Sequence, residues 1–165
     1  MTSGDVLNMK QLKLSAGFTL VELMVVISII AILAAVAIPS FQSIIRNQRI
    51  KNSSYEMFTS LMVARSEAIK RNKDVIIAPD TAGSWQDGWT VSVVLPSAVL
   101  KNQAALKGIV VSGAPASLTY KRTGRLSDTA SRSFQFDINP ADSNFIRCIT
   151  IELSGLPRTK KGACS

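Results

Sequence analysis

The 165-residue chain contains no histidine and only two cysteines, Cys148 and Cys164. Without histidine there is no Ser–His or Cys–His pair, the commonest means of activating a nucleophile. Two cysteines alone fall short of the four ligands of a structural zinc site. The sequence also lacks H-E-x-x-H, C-x-x-C and a glycine-rich phosphate loop. It has no internal repeat and no low-complexity tract. Acid is scarce: 11 Asp and Glu stand against 19 Lys and Arg, for a formal net charge of +8. These absences argue against an enzyme, and neither cofactor nor metal is expected. The basic balance suits an anionic partner such as nucleic acid, acidic lipid or an acidic protein, and equally suits plain solubility.

Basic charge is missing from one long stretch. No basic residue lies between Lys13 and Arg46, and Glu22 is the one acid there. Phe18 to Ile38 is 21 residues long, with only Thr19, Glu22 and Ser28 polar. About 20 apolar residues cross a hydrocarbon core as a helix. A carboxylate at that depth is costly until a positive group meets it, and the span offers none. Ala16-Gly17 precedes the apolar run, whereas a secretory signal places its small residues after the run. Lys10 and Lys13 suit a cytoplasmic leader, although Arg46, Arg49 and Lys51 beyond the run outnumber them.

Gly17-Phe18-Thr19-Leu20-Val21-Glu22, behind its basic leader, resembles the class III signal of type IV pilins and type II secretion pseudopilins. The resemblance implies cleavage by a prepilin peptidase between Gly17 and Phe18, then N-methylation of Phe18. It also implies that Glu22 meets the terminal amine of a neighbouring subunit in a filament, which would supply the missing cation. The competing reading is an ordinary signal anchor that holds Glu22 by chance.

Pro39 follows the run, and an interior proline removes a helix hydrogen bond. Apolar residues nevertheless continue at helical spacing: Phe41, Ile44, Ile45, Tyr55, Phe58, Met62, Ala64, Ala68 and Ile69. Arg46, Arg49, Lys51, Asn52 and Glu56 supply a polar face. One helix from Phe18 to about Arg71 is therefore expected, apolar all round at first and amphipathic later.

From Asp74 the pattern shortens to β-rich runs: 74–78, 89–95, 108–111, 118–121, 133–138 and 145–153. Turn signals separate them at 82–84, Asp87-Gly88, 95–97, 113–115, Thr123-Gly124 and Asn139-Pro140. Six or seven strands in a twisted antiparallel arrangement are expected, with one face covering the amphipathic helix.

Two further stretches are similar to the GspH/FimT group: Met62 to Asn72 at the helix end, and the Trp-x-x-Gly-Trp-x-Val element from Trp85 to Val91. Gly124-Arg125 extends the likeness. Arg65 and Glu67 are expected to anchor helix to sheet, and Trp85 and Trp89 to serve packing and turns. The implied fold is α+β and pilin-like, a long N-terminal helix packed on a small antiparallel, sandwich-like β-domain. The implied divisions are a leader at 1–17, a transmembrane or filament-core helix at 18–38, an amphipathic helix at 39–72 and a β-rich periplasmic domain at 73–165.

If that domain lies outside the cytoplasm, Cys148 and Cys164 are expected to bridge; two buried thiols are the alternative. The bridge would clamp Gly155-Leu156-Pro157-Arg158-Thr159-Lys160-Lys161. FimT-type minor pilins linked to DNA uptake carry Gly-Arg-x-Arg near this place. Gly155 and Arg158 match it, and Leu156 stands at the first Arg position. Arg158, Lys160 and Lys161 are the candidate contacts to double-stranded DNA, and a solvated basic hairpin is the plain reading. The expected function is a minor pilin in tip, priming or connector position, anchored in the inner membrane and later extracellular in a type IV pilus with other pilins. The alternatives are the H-type minor pseudopilin of a type II secretion system and a DNA receptor for transformation.

Overall fold

The computed structural model describes residues 17–138 and 143–164. Lys10, Lys13 and the Asn139-Pro140 turn lie outside the described residues. The chain forms two compact units, Met1–Phe41 and Gln42–Ser165.

The first unit holds the start of α1 (Leu20–Arg71), which is helical through Pro39. Its large apolar side chains from Phe18 to Phe41 are exposed. This helix is long and apolar enough to cross a membrane.

The second unit joins the rest of α1 to eight strands. These are β1 (Val75–Thr81), β2 (Ser84–Val93), β3 (Ala98–Ala104), β4 (Ile109–Ser112), β5 (Leu118–Tyr120), β6 (Arg132–Ile138), β7 (Arg147–Ile151) and β8 (Pro157–Lys161). One four-stranded sheet runs β3-β2-β1-β5 and the other β4-β6-β7-β8, each antiparallel throughout. Alternation sends Val75, Ile77, Trp89, Val91 and Val93 inward from the first sheet, and Phe134, Phe136, Ile138, Ile149 and Ile151 from the second. Trp85 of β2 joins the sheets: its ring meets Phe134 of β6 edge-on, with centroids 4.9 Å apart, and its Nε1 donates to the Pro115 carbonyl at 2.7 Å.

The helix meets this core along Ile50, Met57, Leu61, Ala64 and Ala68, with Ser53, Ser54 and Ser60 buried beside them. The expected stripe is thus out of phase in part. Ala64 and Ala68 are inside, whereas Phe41, Ile44, Ile45, Tyr55 and Ile69 are exposed and Met62 sits at the margin. Three serines and two alanines thus share the buried face with Ile50, Met57 and Leu61, so hydrophobicity alone does not choose that face. Ser54 and Ser60 satisfy their hydroxyls on the Lys51 and Glu56 carbonyls.

Two strands exceed the sequence expectation: β3, and β8 in the segment expected as a clamped loop. The Asp87-Gly88 turn is also corrected, since both residues lie within β2 and the β1–β2 hairpin turns at Ala82-Gly83. Gly88 has another reason. A Cβ there would lie 2.5 Å from the Gln103 carbonyl oxygen, so glycine permits the close approach of β3.

Candidate functional site

The candidate processing motif begins ahead of the helix, with Gly17 open on all sides and Phe18 exposed. Glu22 sits in the first turn of α1. Its Oε2 accepts from the Thr19 backbone N–H and from Thr19 Oγ1, both at 2.9 Å, while the Glu22 N–H donates to Thr19 Oγ1 at 3.1 Å. This reciprocal capping box satisfies helix-end donors that hydrocarbon would leave bare. It also fixes the carboxylate at the positive end of the helix. Glu22 is therefore positioned within its own chain before any neighbour supplies a cation. Thr19 is the residue that the sequence reading passed over; the Thr-x-x-Glu spacing was the available signal.

Farther on, Cys148 and Cys164 are bridged, with Cα atoms 5.2 Å apart. The Cys164 N–H also donates to Gln135 Oε1 at 3.1 Å. The enclosed segment is strand β8, paired with β7 from Ile151↔Pro157 to Arg147↔Lys161. Strand alternation divides the candidate DNA contacts. Arg158 and Lys160 share one face, and Lys161 lies on the other with Pro157 and Thr159. Arg158 Nε also stands 3.4 Å from Glu152 Oε1, an exposed pair of modest strength. The three cations therefore do not form a single cluster.

Gly155 is fixed by packing. It has φ +81°, and a Cβ there would lie 2.0 Å from the Gly124 carbonyl oxygen. That oxygen accepts from Arg65 Nε at 3.0 Å, which ties α1 to the turn after β5. Arg65 thus anchors as expected. Glu67 does not; it pairs with Arg71 and, at 3.8 Å, with Lys70 on its own helix, and the Arg71 guanidinium holds its carboxyl below the usual range. Lys121 Nζ reaches Asp74 at 3.1 Å and the Arg122 N–H donates to the same carboxylate. The Lys121 bond holds the Asp74 carboxyl down. Buried Tyr120, beneath Gly155, has its phenol pushed up by burial.

Among the described residues, no three His, Cys, Asp or Glu side chains are grouped to hold a metal ion. The candidate residues thus fall in two places, the Gly17–Glu22 motif ahead of and at the start of α1 and the disulfide-bridged basic strand β8.

The profile of the family described as type II transport protein GspH matches residues 54–155, and that of the prokaryotic N-terminal methylation motif matches residues 12–38. A fimbrial protein of Pseudomonas aeruginosa is 35% identical over 85 residues, covering 51% of this chain and 54% of that protein. The chain spans about half the length of the curated relatives it matches. The solved type IV minor pilin FimU of Pseudomonas aeruginosa aligns with a TM-score of 0.59 at 21% identity, covering 67% of this chain and 91% of that one. The minor pseudopilin EpsH from the type 2 secretion system of Vibrio cholerae aligns with a TM-score of 0.56 at 17% identity, covering 68% and 97% respectively. These two likenesses agree on the fold, a long N-terminal helix with antiparallel sheets. By its match over most of the second unit, the chain belongs to the type II transport protein GspH family.

Proposed function

We propose that this chain is a minor pilin of a type IV pilus, cleaved between Gly17 and Phe18 by a prepilin peptidase and N-methylated on Phe18. It waits in the inner membrane with its β-domain in the periplasm and then enters an extracellular filament with other pilins as a tip, priming or connector subunit. The observation that carries this reading is the capped carboxylate of Glu22 at the head of an otherwise uncharged, exposed apolar helix. Such a group is poorly placed in lipid alone and well placed beside a neighbour's terminal amine. The kinship with fimbrial proteins supports the pilus over other filaments.

The test is incorporation of a tagged chain into sheared filaments. Glu22→Ala should still insert and be cleaved but should be depleted from the filament fraction at least tenfold. Incorporation at the wild-type level would sink the charge-pairing account. The second reading, an H-type pseudopilin of a type II secretion system, draws on the GspH match and the likeness to EpsH. Deletion of the gene distinguishes the two: loss of pili supports the first, and loss of exoprotein release with pili intact supports the second. A DNA-receptor role has narrower support, since Arg158 is engaged by Glu152 and Lys161 lies on the opposite strand face.

A further inference from the structure

On the second unit, the helix and the β7–β8 sheet edge leave a hollow of about 300 Å³ lined by Lys51, Asn52, Ser54, Tyr55, Arg147 and Thr159. Two cations enter it from different elements, Lys51 from α1 and Arg147 from β7. A third, Lys161, lies directly across the ladder from Arg147. Like charges opposed in this way destabilise a sheet. None of the three has a carboxylate partner among the described residues. The nearby acids are engaged elsewhere: Glu56 pairs with Lys101 of β3 at 3.2 Å, and Glu152 with Arg158. Asn52, Thr159 and Tyr55 add neutral hydrogen-bonding groups to the lining.

We propose that this hollow is a docking pocket for a carboxylate side chain of an acidic partner protein, with Arg147 and Lys51 as the charge-bearing contacts. Arg147 is half-buried, and its planar fork matches a carboxylate with two parallel bonds. Tyr55 is 67% exposed and stacks on Phe58 with ring centroids 6.5 Å apart, so an aromatic rim stands beside the cations. An aspartate or glutamate brings an apolar stem for that rim as well as a charge for the hollow. A duplex phosphate brings charge without the stem. Tyrosine and arginine are also the residue types that dominate protein interfaces. A second copy of this chain fits poorly, because each copy is strongly basic, at +8 with residues 1–17 and +7 without Asp5, Lys10 and Lys13. The partner is thus a different, acidic protein. The pocket belongs wholly to the second unit, so the inference holds whichever filament the chain enters.

The test uses the full chain in neutral detergent micelles and fluorescein-labelled hexaglutamate, with hexaglutamine and a 20-base-pair duplex as comparison probes. Anisotropy at low salt should show saturable hexaglutamate binding and none of hexaglutamine. Arg147→Gln and Lys51→Gln should each weaken it about tenfold, the lower end for a bond to a charged group. Arg147→Lys should recover part of the loss, and Tyr55→Phe should bind better than Tyr55→Ala. Lys107→Gln removes an exposed charge outside the pocket and should change affinity less than twofold. An equal loss for Lys107→Gln and Arg147→Gln would reduce the effect to net charge and overturn the proposal. So would absence of saturable hexaglutamate binding, or a larger loss for the duplex than for hexaglutamate on Arg147→Gln. Lys51 is exposed on the helix, so Lys51→Gln decides the matter if Arg147→Gln disturbs the fold.

Discussion

Gly155 offers a measurement of how tightly the basic strand is docked. Its φ of +81° costs an L-residue about 1–2 kcal/mol. A Cβ would also lie 2.0 Å from the Gly124 carbonyl oxygen and 3.0 Å from Tyr120 Cε1. The carbonyl cannot withdraw freely, because Arg65 Nε holds it at 3.0 Å. Overpacking of this kind typically costs about 1–3 kcal/mol more. Gly155→Ala should therefore destabilise the second unit by about 2–5 kcal/mol. Gly83→Ala is the control, with φ +77° and nothing within 4 Å of its Cβ, so only the conformational cost applies. Gly124→Ala should fall between them, since its Cβ meets the movable Ile69 Cδ1 at 2.6 Å. Near-UV circular dichroism of the full chain in micelles, with the disulfide intact, would follow thermal unfolding. At about 3–4 °C per kcal/mol for a unit of this size, Gly155→Ala should melt roughly 3–12 °C below Gly83→Ala. Equal midpoints for the two variants would refute the packing argument and leave Gly155 with only a turn requirement.

Gly17→Val should block maturation and leave the leader attached, while mass spectrometry of the wild-type mature chain should begin at methylated Phe18; a wild-type chain retaining its leader would remove the processing account. Reduction of Cys148–Cys164 should lower stability by about 3 kcal/mol for a loop of this length, and thiol titration of the native oxidised chain should find no free sulfhydryl. If the β8 region meets duplex DNA, Arg158 and Lys160 share a face, so two phosphate contacts give a log–log salt slope of about −1.8. A slope of about −2.7 that shallows on Lys161→Gln would mean that all three cations engage together.

The parts of this fold that could be read from the sequence are those where one residue class marks one environment. The run from Phe18 to Ile38, with Glu22 as its one charged residue, permits little besides an apolar helix. The Val- and Ile-rich runs at 75–77 and 109–111 alternate as strands with one buried face should. Legibility fails where two requirements meet in one residue. Ser54 and Ser60 are polar by composition yet buried, because each turns its hydroxyl onto a backbone carbonyl of its own helix. Gly88 reads as a turn residue, yet its missing Cβ makes room for a neighbouring strand. At the N-terminal motif the sequence named Gly17, Phe18 and Glu22, but the hydrogen-bonded frame from Thr19 needed the helix start to be located first.

The two missed strands share a further cause, which also sorts the basic residues. Both β3 and β8 are outermost in their sheets. An outer strand exposes unpaired backbone groups, and proline, lysine and polar residues there discourage pairing with another chain. Pro157, Arg158, Lys160 and Lys161 on β8, and Lys101 and Asn102 on β3, read as loop for that reason. Protection of an open edge is therefore a sufficient physical cause for the charges of β8, with no ligand needed. It does not account for Arg147. That residue lies on β7, paired on both sides by β6 and β8, and it lines the hollow beside the helix. A half-buried cation on an interior strand, opposite another cation and without a carboxylate among the described residues, carries a desolvation cost that edge protection cannot explain. The strand order thus separates charges that guard an edge from a charge that is placed to be met, and it directs mutagenesis to Arg147 and Lys51 ahead of the more conspicuous basic tail.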